Sequence, residues 1–484
     1  MTTVLRGGRI PTADGTVDVL IAQGRIAEIA PAGRLHGDET VSLDGRWVIP
    51  GLWDNHVHFT QWAQTARRLD VSGAASAAEA AELVSGRALA DAGSDPIVGF
   101  GFHDALWPDR PTRALLDRAS GDRPVVLIAG DLHCCWLNTT AARMLAPATA
   151  GDPDAAVLRE DASFAVTMQL AAADDGTLDR WARDAAKAAA ARGVVGIVDL
   201  EYGWNLDVWQ RRMQAGADEL RVEFGVYGEH LERAAALGLR TGSVIEGTGG
   251  LLTVGPYKVI TDGSLNTRTA FCFDPYPDGG FGAENLSFAE LVASMYFAAS
   301  HGLEPAVHAI GDHANRLALD AFAEVGCRGR IEHAQLITNG DIARFAELGV
   351  TASVQPEHAM DDRDVADVLW AGRTGRAFPL AALQRAGVRL ALGSDAPVAP
   401  LDPWVALAAA VARSRGGREP WHPEQSISRR VGLAASVRSR VAVGEPADLA
   451  VLEYDPFACT IAELRRMPVA ATLLAGDFTH DALR

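Results

Sequence analysis

Short runs of alternating apolar and polar residues open the chain: Thr2 to Arg6, Val17 to Ala22 and Arg25 to Ala30, divided by Gly7-Gly8, Gln23-Gly24 and Pro31. Alternation between turn residues predicts the strands of a small antiparallel sheet. The end of the chain looks similar, with apolar runs at Asp448 to Leu452 and Ala471 to Leu474 bounded by Gly444, Pro446 and Gly476. Between these ends, apolar runs alternate with Ala-rich helical stretches. The runs are Val125 to Ala129, Val194 to Leu200, Leu220 to Tyr227, Tyr257 to Thr261, Pro305 to His308, Arg330 to Ala334, Val350 to Gln355 and Val388 to Gly393. Repeated βα units imply a parallel sheet or barrel with helices outside. About eight units make a (β/α)8 barrel the expected fold, with its site at the C-terminal ends of the strands; an open doubly wound sheet is the alternative. Residues from about Thr65 to Glu160 exceed what one βα unit needs and read as an insertion after the first barrel strand.

Composition narrows the function classes. The chain has 484 residues and a formal net charge of −18, with 48% hydrophobic residues. That excess of acid argues against nucleic acid as the main partner, because a binder must neutralise phosphates. The longest apolar stretch, Trp404 to Ala412, is about half of what a bilayer span needs, and no leader pattern opens the chain. The expectation is a cytoplasmic protein with no membrane partner. Five cysteines without C-x-x-C spacing read as reduced thiols.

Chemistry is suggested by where the polar residues interrupt the apolar runs. Val48 to Leu52 leads into His56-Val57-His58, and a period of two puts both imidazoles on one side of a strand, where they can grip one ion. His308 closes the run Glu304 to His308, His333 closes Arg330 to His333, and Asp395 follows Leu390 to Ser394. Any one of them alone reads equally as a satisfied core histidine or a capping aspartate. Together they form a nitrogen and oxygen ligand set suited to zinc or a similar divalent ion. Lys258, inside Tyr257-Lys258-Val259-Ile260, is costly to bury unless its charge is removed, paired or used.

These stretches resemble the amidohydrolase superfamily, in particular its YtcJ-like branch, which includes N-substituted formamide deformylases. The matching residues are Pro50-Gly51 with His56 and His58; Lys258 with Asp262-Gly263-Ser264-Leu265 and Arg268-Thr269-Ala270; Val307 to Asp312; and Ile331 to Ala334. They continue through Ser353 to Pro356 with His358, Gly393 to Pro397, and Gly444 with Ala447-Asp448-Leu449. The resemblance implies a barrel over residues 51–440 and a β-sandwich built jointly from residues 1–50 and 441–484. It also implies two divalent metal ions, zinc the expected one. His56, His58 and Asp395 would hold the more buried ion and His308 and His333 the more exposed one, bridged by Lys258 carboxylated by CO2.

From those ligands follows a reaction class, hydrolysis of a non-peptide C–N bond in an N-substituted amide or formamide. A hydroxide between two cations is a nucleophile at neutral pH, and Asp395 would accept its proton and pass it to the leaving nitrogen. The alternatives are a metal-dependent isomerase or decarboxylase on the same residues, or a regulatory protein with a vestigial site. Substrate contacts are expected from His358, Gln355, His133, Arg268 and Asp262, although His358 also reads as structural, His133 as a packing residue and Asp262 as a turn cap. Trp53, Trp62, Trp107 and Trp136 either form an apolar substrate pocket or the core of the insertion. His103, His301, His313 and His422 have no ligand-like context. Two departures from the family pattern bear on substrate shape: Asn266 stands where the family has Gly, and Leu132-His133-Cys134-Cys135-Trp136 replaces Gly-His-Ser-Ala-Trp. The partner is a small-molecule substrate, and a homodimer is possible.

Overall fold

Eight parallel strands form one sheet in chain order: β1 (Leu52–Val57), β2 (Val194–Asp199), β3 (Arg221–Tyr227), β4 (Leu252–Ile260), β5 (Pro305–Ala309), β6 (Arg330–His333), β7 (Thr351–Val354) and β8 (Leu390–Leu392). The computed structural model describes residues 2–11, 13–90, 93–152, 156–170 and 174–483. The ring closes just beyond β8, where Asp395 N–H donates to His56 O at 2.7 Å and His58 N–H donates to Ala396 O at 2.7 Å. This is the (β/α)8 barrel that the repeating βα pattern predicts.

The outer helices are amphipathic for the usual reason. Asp174 caps the helix Asp175–Ala190 by accepting from Thr177 N–H, and the helix buries Ala182, Ala185, Ala186, Ala189 and Ala190 along one stripe against the barrel. Small residues let strands and rings approach closely: a Cβ on Gly196 of β2 would lie 2.4 Å from the Trp53 indole. No helix among the described residues is long and apolar enough to cross a membrane, and all five cysteines are free.

Two four-stranded sheets come from the chain ends. One orders Arg25–Pro31, Val17–Ala22, Thr2–Gly8 and Glu39–Ser42; the other orders Asp477–Asp481, Val469–Leu474, Leu449–Leu452 and Trp47–Pro50. Leu5, Val19 and Leu43 from the first pack with Val48, Leu449, Val451 and Leu473 of the second in one apolar core. Asp448 ties this unit to the barrel. Its carboxylate accepts from Arg221 Nε at 2.7 Å, Arg221 Nη2 at 3.0 Å and Ala475 N–H at 2.8 Å, while its carbonyl accepts from Gly51 N–H.

Two expectations need correction. The run Val125–Ala129 is not a barrel strand but the centre of a five-stranded sheet within the insertion, and β1 completes the eight. The insertion also continues past Glu160, because the helix Asp161–Leu170 packs Val166 against Val126, Ile128, Cys135 and Leu158. The four tryptophans form no substrate pocket. Trp107 and Trp136 meet edge to face at 6.4 Å in the insertion core, Trp62 packs on the barrel core, and Trp53 lies beneath the Arg438 guanidinium at 3.8 Å. Their large surfaces are used in packing.

Replacing Asp448 with Ala strands a guanidinium that is mostly shielded from water, so Asp448→Ala should cost ~3 kcal/mol. A urea melt should show a lower midpoint with the slope unchanged.

Candidate metal centre

Several barrel strands deliver polar residues to the same rim. His56 and His58 leave β1 with their Nε2 atoms each 3.3 Å from Asp395 Oδ1. On the other side of that carboxylate, Oδ2 lies 4.0 Å from His333 Nδ1 and 3.9 Å from His358 Nε2. Two compact trios therefore share Asp395: His56 with His58, and His333 with His358. The expected second pair was His308 with His333. The His308 ring is 4.4 Å from His333, yet its Nε2 is turned to Gly263 O and Asp262 Oδ1, each at 3.5 Å. Lys258 lines the same cavity.

Second partners fix the ring orientations. Glu332 Oε2 accepts from His56 Nδ1 at 2.7 Å, which leaves His56 Nε2 facing Asp395, and Gln355 Oε1 accepts from His333 Nδ1 at 2.9 Å. A carboxylate or carbonyl behind a histidine is the arrangement that holds a metal-ligating imidazole in one tautomer. Glu332 and His333 are neighbours on one strand and should face opposite sides. Both reach the centre because the backbone turns left-handed at His333, φ 72°. Asp395 is likewise left-handed, φ 58°. Such conformations cost ~1–3 kcal/mol each and persist where the surroundings over-determine them.

The electrostatics suit a cation. Burial, and for His333 the adjacent His308 ring, hold His308 and His333 well below the ordinary histidine range. Burial alone would raise Asp395, but His56, His58 and His333 outweigh it and keep the carboxyl ionised. Burial likewise opposes the charge on Glu332, yet Arg330 at 2.6 Å and His56 hold it at about 2. Lys258, only 2% exposed, is pushed by burial down to about 8. His56 Nε2, His358 Nε2, Lys258 Nζ and Asp395 Oδ1 are all buried without a hydrogen-bond partner. His58 differs: burial would lower it, but the Asp395 carboxylate outweighs burial and raises it. The neutral imidazoles of His56, His308 and His333, an ionised carboxylate and orphaned polar atoms in one cavity are a donor set that suits a divalent ion.

Around this floor lies a cavity of about 710 Å³. Among the expected substrate contacts, His358 and His133 line it and three others do not. Arg268 faces solvent and pairs with Asp278 at 2.9 Å. Gln355 is spent on His333. Asp262 is fully buried and accepts from the N–H groups of Phe271, Ile310 and Gly311, which ties the β4 loop to the end of β5. The walls include residues that sequence reasoning missed: His103, Phe164, Tyr202, Tyr227 and Glu201. Tyr202 stacks on His58 with centroids 5.5 Å apart. Asn266, 7% exposed, lines the cavity, and its buried Nδ2 has no hydrogen-bond partner. Glu332 had one legible signal, a carboxylate inside an apolar run directly before a candidate ligand.

A (β/α)8 barrel with neutral imidazoles, an ionised carboxylate and a buried lysine at its C-terminal rim defines a class, the metal-dependent barrel enzymes. The chain belongs to the amidohydrolase family, whose model matches residues 39–480, and is a metal-dependent hydrolase of that family. It is similar to a putative amidohydrolase of Bacillus subtilis, YtcJ, at 28% identity, covering 99% of this chain and 100% of the relative. It is also similar to N-substituted formamide deformylase of Arthrobacter pascens, at 25% identity over 96% and 94% of the two chains. Its fold matches the crystal structure of a metal-dependent hydrolase from Pyrococcus horikoshii with a TM-score of 0.78 and 25% identity, covering 96% and 99%.

Glu332 holds the His56 ring through Nδ1 and is not itself one of the candidate ligands. Glu332→Gln should therefore weaken divalent-ion binding by ~10–100-fold, read by competition with a chelator, with the far-UV circular dichroism unchanged.

Proposed function

We propose that this chain hydrolyses the C–N bond of an N-substituted amide or formamide of low molecular mass, using two divalent ions, zinc by donor preference, and a carboxylated Lys258. The observation that carries this reading is the buried, partnerless amine of Lys258 facing neutral imidazoles and an ionised Asp395. A lysine held near neutrality is nucleophilic toward CO2: its nitrogen forms a bond to the carbon, loses a proton, and becomes a carbamate with two donor oxygens. That resolves the unfavourable burial of the amine and supplies an anion to the centre.

The donors fit a two-ion site. His56, His58 and Asp395 form one trio; His333 with His358 and Asp395 forms another, with His308 beside it. Bound divalent ions supply Lewis acidity toward a carbonyl and toward water. Asp395 receives the proton of the attacking water at Oδ1, the oxygen without a hydrogen-bond partner. Glu332 and Gln355 hold the two imidazoles still while this happens. On the cavity wall, Tyr202 and Phe164 give an apolar surface for the group carried on nitrogen. The similarity to a protein named N-substituted formamide deformylase supports the substrate class.

The sequence contains two lysines, Lys187 and Lys258, and Lys187 is exposed. Labelled CO2 should therefore give a carbamate carbon resonance that is lost in Lys258→Ala and kept in Lys187→Arg. Lys258→Ala should also lose metal and at least ~100-fold of activity, whereas Lys187→Arg should lose neither. Failure of metal-replete wild type to hydrolyse any amide, formamide, carbamate or cyclic amide would overturn the reading.

A further inference from the structure

The insertion contributes a second polar device to the cavity. His133 sits in the turn between the insertion strands Val125–Ala129 and Cys134–Leu137, and it lines the cavity together with the candidate ligands. Its Nδ1 lies 2.8 Å from Glu160 Oε2, and Glu160 N–H donates to His133 O at 2.8 Å. The other carboxylate oxygen, Glu160 Oε1, accepts from Thr267 Oγ1 at 3.0 Å and Thr269 Oγ1 at 2.8 Å. Both threonines belong to the loop that follows β4, the strand carrying Lys258. Asp131 makes a parallel link: Oδ1 accepts from His133 N–H at 3.1 Å and Oδ2 from Ser264 Oγ at 3.0 Å. Gly263 leaves room for this clamp, since a Cβ there would lie 2.0 Å from Thr269 Oγ1 and 3.3 Å from Glu160 Oε1.

The consequence is an imidazole fixed at both ends of its own loop. A carboxylate that accepts from Nδ1–H leaves Nε2 to face the cavity, and Nε2 has no partner among the described residues. The charged groups around the ring are Glu160 and Asp131 from the insertion with Asp395, Asp262 and His308 from the barrel; burial opposes the protonated form, and Glu160, Asp131 and Asp395 outweigh it. A base oriented by a carboxylate, with its second nitrogen open to substrate, is a proton-transfer device.

We infer that His133, oriented by Glu160, is the general acid that protonates the departing nitrogen. This rests on the C–N hydrolysis reading and moves proton donation from Asp395, which is boxed between four imidazoles on the cavity floor, to the wall. As the C–N bond breaks, its electron pair goes to nitrogen. The Nε2–H bond of the imidazolium breaks, and that proton forms the new N–H bond. His133 is left neutral with Nδ1–H still donated to Glu160, and it recovers its proton from solvent.

A proton donor to the leaving group matters only when the leaving group needs one. The test compares wild type, His133→Gln and Glu160→Gln, all metal-loaded, on an N-alkylformamide and on a formanilide activated by a para-nitro group. His133→Gln should lose at least ~100-fold in kcat on the alkyl substrate and less than ~3-fold on the nitroanilide, with metal content and thermal midpoint unchanged. Glu160→Gln should show the same pattern at smaller amplitude, and the histidine nitrogen resonance assigned by His133→Gln should move in it. Equal losses on both substrates, no loss on either, or a shift of metal content in His133→Gln would overturn the assignment while leaving the hydrolytic reading intact. Wild type inactive on both substrates and on other amides would overturn both.

Discussion

Asp54 accepts from the backbone N–H groups of His56 at 3.2 Å and Ser394 at 2.9 Å, and around it the first and last barrel strands meet. The closing hydrogen bonds run from Asp395 to His56 and from His58 to Ala396. Barrel closure and ligand placement are therefore one set of interactions, made by the backbone of the residues whose side chains form the centre. The approach is close enough to need glycine: a Cβ on Gly393 would lie 2.8 Å from His56 N. Burial pushes Asp54 up to about 7 against the hydrogen bonds that favour its charge, so the seam carries an electrostatic cost that the rest of the barrel offsets. A slip of one residue here would turn His56 and His58 to the outside and open the ring together.

The floor of the cavity carries further costs of the same kind. His333 and Asp395 hold left-handed backbone, and several buried polar atoms have no protein partner. A cation drawing on all of them would convert these penalties into binding energy, which is the linkage between metal binding and folding. The choice of lysine at 258 follows from that logic. This chain relies on arginine for nearly all its positive charge, with two lysines in 484 residues. A guanidinium stays charged and cannot become a neutral nucleophile in a dry site, so position 258 needs an amine.

How far the sequence could be read depended on how local each signal was. His56 and His58 were legible because a strand's period of two places them side by side, and His308, His333 and Asp395 because each ends an apolar run. The β-rich ends were legible from their turn residues. Other features were set by tertiary geometry. The left-handed turn at His333 brings Glu332 and His333 to the same centre, which no periodicity encodes. Arg268 follows the β4 motif closely in sequence, but the loop turns it to solvent. Val125–Ala129 is as apolar as any barrel strand because both faces of the insertion sheet are covered, so hydropathy alone could not separate the two. Phe164 and Tyr202 come from separate segments and meet only across the cavity.

Division of labour between floor and wall explains where this chain departs from its family's pattern. Neither Leu132 nor Asn266 is among the candidate ligands, and both line the cavity. Leu132 occupies a left-handed position, φ 67°, where the family pattern has Gly, and a branched side chain there costs ~1–3 kcal/mol that Gly would not. Leu132 packs on the apolar insertion core of Val126, Ile128 and Leu158, which offsets part of that cost. Its side chain adds apolar surface to the wall that holds Phe164 and Met168, directly beside His133. The strain is then tied to the shape of the cavity rather than to the reaction, and it falls on the insertion, whose turn can change without disturbing the seam at Asp54.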